Sequence, residues 1–210
     1  VSQLPIDYMG LIFYPKSSRY VGMASSGTGL LPDIADKAII GLGNTTVSSY
    51  INKVGVFVNA SAQDIIAHVV NFRLDAIQLH GSETSTFIRN LKATLIPDIY
   101  PKIKIFKAIS IASAEDFGKC SQYEGVVDMF VFDTKCAGHG GSGRQFDWSV
   151  LDSYKGNTPF LLSGGIGFED AERIKNIRHP KLAGLDLNSR FELEPGLKDV
   201  ELLKAFINKI

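Results

Sequence analysis

The chain has 210 residues, 45% of them hydrophobic, with 22 basic side chains balanced by 22 acidic ones. This is enough apolar material for one sizeable core, so residues 1–210 are expected to form a single domain. Zero net charge argues against a nucleic-acid partner, which needs clustered lysine and arginine to neutralise phosphates, but leaves room for one small anion. The early apolar run "MGLIFYP" is too short to cross a bilayer and no basic region precedes it, so no membrane partner is expected. Cys120 and Cys136 are the only cysteines. They make no metal-ligand spacing or disulfide scaffold, which points to a cytoplasmic protein without a bound metal.

Seven short runs read as strands: "YMGLIFY" (8–14), "KVGVFV" (53–58), "DAIQLH" (75–80), "IKIFKAIS" (103–110), "DMFVFD" (128–133), "PFLLSGG" (159–165) and "GLDLN" (184–188). They are almost continuously apolar rather than alternating, as parallel strands covered on both faces are. Helix-like stretches lie between most of them. "SAQDIIAHVVNF" opens on a Ser-x-x-Asp cap, "SETSTFIRNLKATL" on a serine and glutamate, and "FEDAERIKNI" and "LKDVELLKAFINKI" space apolar residues helically. Residues 24–52, with four glycines and an internal proline, predict a poor helix and a loop. Strand–helix alternation fits either an open doubly wound sheet or a (β/α)8 TIM barrel. Arg19, Asn59, His80, Asp133, Ser163 and Asn188 stand at or just past the C-terminal ends of different strands. A barrel gathers all such ends around one mouth, so the barrel is favoured, one unit short.

Chemistry concentrates at three places. "LLSGGIG" runs a strand into glycines and a helix, so freed backbone amides can face an anion. The loops after the last two barrel strands often form a phosphate site, which nominates Ser163, Gly164, Gly165, Asn188 and Ser189. Tight corner packing is the plainer alternative. Asp133 ends an apolar strand, where a carboxylate is costly unless paired or solvated. It is either a proton donor or acceptor beneath the glycine-rich loop "GHGGSG", or a helix cap or a residue paired with Lys135 or Arg144. Arg19, after the first strand, is placed to meet a substrate anion. Lys107, inside an apolar strand, needs a partner or an opening. His80 in "QLHG" reads as a substrate contact or a hydrogen-bonded support, whereas His68, His139 and His179 read as solvent-facing or loop residues. Asp147 and Trp148 read as a helix cap and packing.

Taken in order, "GLIFYPKSSRYV", "VGVFVNAS", "IQLHGSE", "IKIFKAIS", "FDTK" with "GGSGRQFDWSVL", "LLSGGIG" and "DLNSRFELEPGLKD" resemble the phosphoribosylanthranilate isomerase family of tryptophan biosynthesis. The resemblance covers nearly the whole chain, except that 24–52 match poorly and "DLNSRFE" stands where many members carry a serine–glycine pair before the glutamate. It implies an Amadori rearrangement of N-(5-phosphoribosyl)anthranilate with no cofactor. In that scheme Asp133 is the general acid, and Arg19, His80 and Asp186 are substrate contacts. Gly141, Ser163, Gly164, Gly165, Asn188 and Ser189 hold the phosphate, and the protein is a monomer or homodimer. The family's base is a cysteine in a Cys-Gly pair ending the first strand. "VSQLPID" matches the end of the first helix, so the expectation is a TIM barrel lacking its first strand, an N-terminally truncated single domain. An alternative of another class is a non-catalytic phosphate-binding barrel, or an inactive fragment lacking the base cysteine. Indoleglycerol-phosphate synthase would offer a lysine acid and glutamates at strand ends, and ribulose-phosphate epimerase a metal site with several histidines; neither pattern fits well.

Overall fold

A computed structural model describes residues 1, 3–26, 29–32, 51–134 and 145–210. Its strands, in chain order, are β1 (Tyr8–Ile12), β2 (Met23–Ser26), β3 (Gly29–Pro32), β4 (Asn52–Phe57), β5 (Ala76–Leu79), β6 (Lys104–Ile111), β7 (Met129–Thr134), β8 (Phe160–Leu162), β9 (Leu182–Leu185), β10 (Glu192–Glu194) and β11 (Leu197–Lys198). The α-helices are α1 (Ala62–Phe72), α2 (Ser85–Asp98), α3 (Ala171–Lys175) and α4 (Val200–Lys209). Between β6 and β7, and between β7 and β8, the connections carry 3₁₀ helices over Ala114–Gln122 and Trp148–Ser153.

One sheet of seven strands runs β1-β4-β5-β6-β7-β8-β9. Every pair in it is parallel. All seven expected runs therefore supply a strand, each within a few residues of its expected bounds. The fold is of the α/β TIM-barrel type, with β1 and β9 as the edges of a curled sheet. The strands read as uniformly apolar because both faces are covered, by two unequal sets of side chains. Leu11, Phe57, Ile77, Leu79, Ile105, Phe130, Phe132 and Phe160 point out to the helical layer, where they join the large core. Phe132 lies 4.5 Å from Phe160 and 5.0 Å from Phe117, ring centre to ring centre. Inside the curl, Val54, Ala76, Phe106, Ala108 and Val131 form a much smaller cluster. Two alanines and two valines among these five leave the interior thinly filled, and a large cavity follows from that.

The helix starts follow their caps. Ser61 Oγ accepts from the Asp64 amide at 3.1 Å, as Ser-x-x-Asp predicts. For α2 the cap is Thr84, whose Oγ1 accepts from the Phe87 amide at 3.2 Å. The serine and glutamate just before it are not the cap, and Glu83 is instead drawn into the protein. Asp147 caps the 3₁₀ turn before β8, and Trp148 is buried. Where a poor helix was expected after residue 24, Met23–Ser26 and Gly29–Pro32 form an antiparallel pair; the rest of that stretch, 27–28 and 33–50, lies outside the described residues. His68, expected to face solvent or lie in a loop, is half-buried on a helix. It lies on α1 with its ring 4.4 Å from Phe13 and stacked on Phe72. His179 is also structural, with Nε2 3.2 Å from the Tyr154 carbonyl oxygen.

Candidate active site

The parallel ladder sets out the site. At the strand ends, His80 N donates to Phe57 O, Ser163 N to Phe132 O and Asp186 N to Leu162 O, each at 2.8 Å. These three residues therefore follow β5, β8 and β9, each bonded to the end of the strand before it in the sheet. Asp133 is the penultimate residue of β7, between outward Phe132 and Thr134. With Arg19 and Gly164, they line a cavity of about 1230 Å³ at the C-terminal mouth. The cavity also runs down between the edges of β1 and β9, past Tyr8, Gly10, Leu185 and Ile207.

At its centre, His80 Nε2 lies 3.3 Å from Asp133 Oδ2, with both side chains less than one-fifth exposed. The Gln78 amide nitrogen lies 3.1 Å from His80 Nδ1. Donation there leaves Nε2 as the nitrogen that carries hydrogen toward Asp133. The other oxygen of Asp133 accepts from the Thr134 amide at 2.8 Å. Asp186 accepts from Ser163 Oγ at 2.9 Å. Burial pushes the Asp186 carboxyl above the usual range. The Ser163 hydrogen bond opposes this, the charge of Asp133 adds to it, and His80 and Lys198 pull it down. Two carboxylates and one imidazole are thus gathered in one mouth.

The glycine turn stands against Asp133. Gly164 and Gly165 have φ of +90° and +66°, a conformation that disfavours side chains. A Cβ on Gly164 would meet Thr134 Oγ1 at 2.3 Å and Asp133 Oδ1 at 2.8 Å. Only glycine lets this turn close onto the carboxylate. Both donors of Ser163 are engaged, its amide by Phe132 and its hydroxyl by Asp186. Asn188 Oδ1 accepts from Lys198 Nζ at 2.6 Å.

Arg19 is brought to the same rim but is already paired. Its Nε donates to Glu192 at 2.8 and 3.0 Å, and a terminal nitrogen at 2.5 Å. Lys198 meets the same carboxylate at 3.0 Å. Burial alone would raise Glu192, but the Arg19 and Lys198 bonds outweigh it and pull the carboxyl to about 2. Gln78, Glu192 and Lys198 were missed by the sequence reading. The available signals were Gln78 two residues before His80 and the charges spaced through "FELEPGLK".

Lys107 finds a partner rather than an opening: it pairs with Glu83 on the helix side of the sheet. Cys120 is buried in the outer core, and burial pushes its thiol up to about 12. Cys136, His139 and Gly141, together with the proposed pairing partners Lys135 and Arg144, lie outside the described residues. Among the described residues no His, Cys, Asp and Glu cluster could hold a metal ion, and no helix is long and apolar enough to cross a membrane.

The family model for N-(5'phosphoribosyl)anthranilate (PRA) isomerase matches residues 38–209. The chain belongs to this family. An N-(5'-phosphoribosyl)anthranilate isomerase from Parabacteroides distasonis is 45% identical over all of this chain and 86% of its own length. The solved phosphoribosyl anthranilate isomerase from Thermotoga maritima is 29% identical, with a TM-score of 0.72 over 97% of this chain and 87% of that one. A further solved phosphoribosyl anthranilate isomerase holds reduced 1-(o-carboxyphenylamino)-1-deoxyribulose 5-phosphate. It is 26% identical, with a TM-score of 0.69 over 97% of this chain and 86% of that one. The isomerase family expected from the strand-end motifs is therefore the family found.

Proposed function

We propose that this chain performs the Amadori rearrangement of N-(5-phosphoribosyl)anthranilate to 1-(2-carboxyphenylamino)-1-deoxyribulose 5-phosphate, without a cofactor, as a cytoplasmic monomer or homodimer. The observation that carries the reading is the closure of the Gly164 turn against Asp133, which brings an anion-binding backbone and a proton-bearing group within one sugar's reach. In this reading the phosphate is held by the amides of Gly164 and Gly165, with Asn188 and Ser189 completing the cradle. Ser163 serves it indirectly by anchoring Asp186.

Asp133 donates its proton to the ribose ring oxygen. The C1′–O bond breaks as the anthranilate nitrogen lone pair forms a Schiff base, so the substrate supplies its own electron sink. Removal of the C2′ proton then gives an enolamine, which tautomerises to the ketose. His80, against Asp133, fixes the carboxyl and contacts the sugar. Arg19, at the rim, faces the anthranilate carboxylate while Glu192 holds its guanidinium in place. Cys120 is unsuited to take the C2′ proton, since its thiol is raised and buried on the far side of the sheet. An added strand ending in Cys-Gly and seated between β1 and β9, where the cavity opens toward Asp133, would supply the base.

Turnover of N-(5-phosphoribosyl)anthranilate by the chain, with and without an added N-terminal strand ending in Cys-Gly, tests the reading. Turnover only with the strand supports it, and full turnover without it removes the assignment of the base. No turnover with either form, despite binding of the reduced product analogue, favours a phosphate-binding barrel.

A further inference from the structure

Behind the mouth, on the helix side of the sheet, lies an ion pair that the reaction does not touch. Lys107 on β6 is 2% exposed, between inward-facing Phe106 and Ala108. Its ammonium donates to the carbonyls of Leu79 at 3.1 Å, Gly81 at 2.7 Å and Ala108 at 3.1 Å, and lies 3.3 Å from Glu83 Oε2. Glu83, also buried, accepts from the amides of Asn59 at 2.8 Å and Gly81 at 3.0 Å. The Tyr123 hydroxyl donates to the Glu83 carbonyl at 2.9 Å, and the Tyr123 ring lies 5.7 Å from the ammonium. Burial lowers the Lys107 ammonium below its usual value, and Glu83 opposes that.

A buried pair of this kind is a weak source of stability, because desolvating two charges offsets their attraction. Its connections are specific, however. Two of the three carbonyls that Lys107 holds, those of Leu79 and Gly81, flank His80 directly. Glu83 ties the Gly81 amide to the Asn59 amide, so the loop after β5 is fastened to the loop after β4. The fit at Gly81 is close: a Cβ there would come 2.4 Å from Asn59 Oδ1. The peptide groups on both sides of His80 are therefore fixed from behind, and their rotation is what would swing the imidazole off Asp133.

We propose that Lys107 and Glu83 are positioning residues that aim His80 at Asp133 through the backbone of residues 79–81. The consequence for turnover rests on the reading of Asp133 as the acid; the aiming of His80 does not. Loss of the pair leaves His80 in the mouth but no longer held to one orientation.

The test replaces the pair by apolar groups, Lys107→Met with Glu83→Leu, in the full chain, since apolar substitution of a buried pair generally keeps the fold. The first readout is the NMR signal of the His80 imidazole without ligand. In the parent chain, Asp133→Asn should shift this signal. In the double variant the shift should fall below about half its parental size. The second readout is kinetic: kcat should fall about 10-fold or more with KM within about 3-fold, and the same double replacement should add less than about 2-fold in a His80→Asn background. If the double variant does not fold, Lys107→Met, which frees the Leu79 and Gly81 carbonyls, is read in the same way. A folded variant in which the His80 response to Asp133→Asn is undiminished overturns the proposal. The NMR readout decides the matter even if the chain turns over no substrate, so failure of the positioning idea and failure of the isomerase reading stay distinct.

Discussion

Glu192 at the rim is bonded by Arg19 and Lys198, two cations for one carboxylate, whereas Asp186 inside the mouth is bonded by the neutral hydroxyl of Ser163 and stands near the charge of Asp133, which His80 meets. The first cluster is overcompensated, and its carboxyl is held at about 2. The second is undercompensated, and Asp186 is pushed above the usual range. Both lie on one cavity: burial is the larger cause at Asp186, and at Glu192 the bonds from two cations outweigh it. A carboxylate with surplus partners stays ionised and fixes geometry. A buried carboxylate bonded only by a neutral hydroxyl, as Asp186 is, is pushed toward its protonated form.

Removing the acid should have the largest effect. Asp133→Asn is expected to lower turnover about 1,000-fold while the reduced product analogue binds within about 3-fold of the parent, in steady-state kinetics and titration. Equal loss of both would make Asp133 a structural residue. Next is the overcompensated cluster. Glu192→Gln leaves two cations facing a neutral amide and should cost about 3 kcal/mol in urea unfolding at neutral pH. The sign of its pH dependence follows from a depressed carboxyl. The stabilisation is fully present above the ordinary carboxyl value of 4.5 and is lost as pH falls toward about 2. Parent and variant should therefore converge in acid, and a pH-independent gap would mean the ion pairs are not its source.

Gly164→Ala probes the turn between the clusters. A side chain at this positive φ costs about 1–3 kcal/mol and crowds Thr134 and Asp133. The analogue should bind about 10-fold more weakly. The smallest effect is expected at Asp186. Its raised carboxyl favours the folded state only where it is protonated and costs stability as pH rises past 3.8. Asp186→Asn should therefore raise the midpoint of thermal unfolding at pH 7 and lose that advantage near pH 3. Destabilisation at pH 7 would show that the Ser163 bond matters more than the buried charge.

Much of this was legible in the sequence, for physical reasons that can be named. Strands covered on both faces must be apolar throughout, so the seven runs stood out, and Arg19, His80, Asp133, Ser163 and Asn188, at or past the ends of five of them, marked the mouth. The same uniformity hid which way a residue points. Nothing in "IFKAIS" shows that Phe106 faces the cavity and Lys107 the helices, so the partner of Lys107, 24 residues earlier, could not be read. Glu83 was misleading because serine and glutamate before a helix look like a cap, a role that Thr84 fills with the same chemistry. Arg19 was placed correctly at the rim, but its bond to Glu192 joins residues 173 positions apart. His68 carried no signal beyond a polar residue on a helix, and only the fold brings Phe13 against it. Residues 23–32 were obscured by glycines and serines, which read as breakers although four residues a side suffice for a small antiparallel pair.

The most direct test of the account is to locate the ligand. Backbone and side-chain NMR shifts followed while reduced 1-(o-carboxyphenylamino)-1-deoxyribulose 5-phosphate is titrated into the chain should move together at the Gly164 and Gly165 amides, Ser189 and the Asp133 carboxyl. Saturating shifts confined to another surface, with the Gly164 turn and Asp133 unmoved, would contradict it.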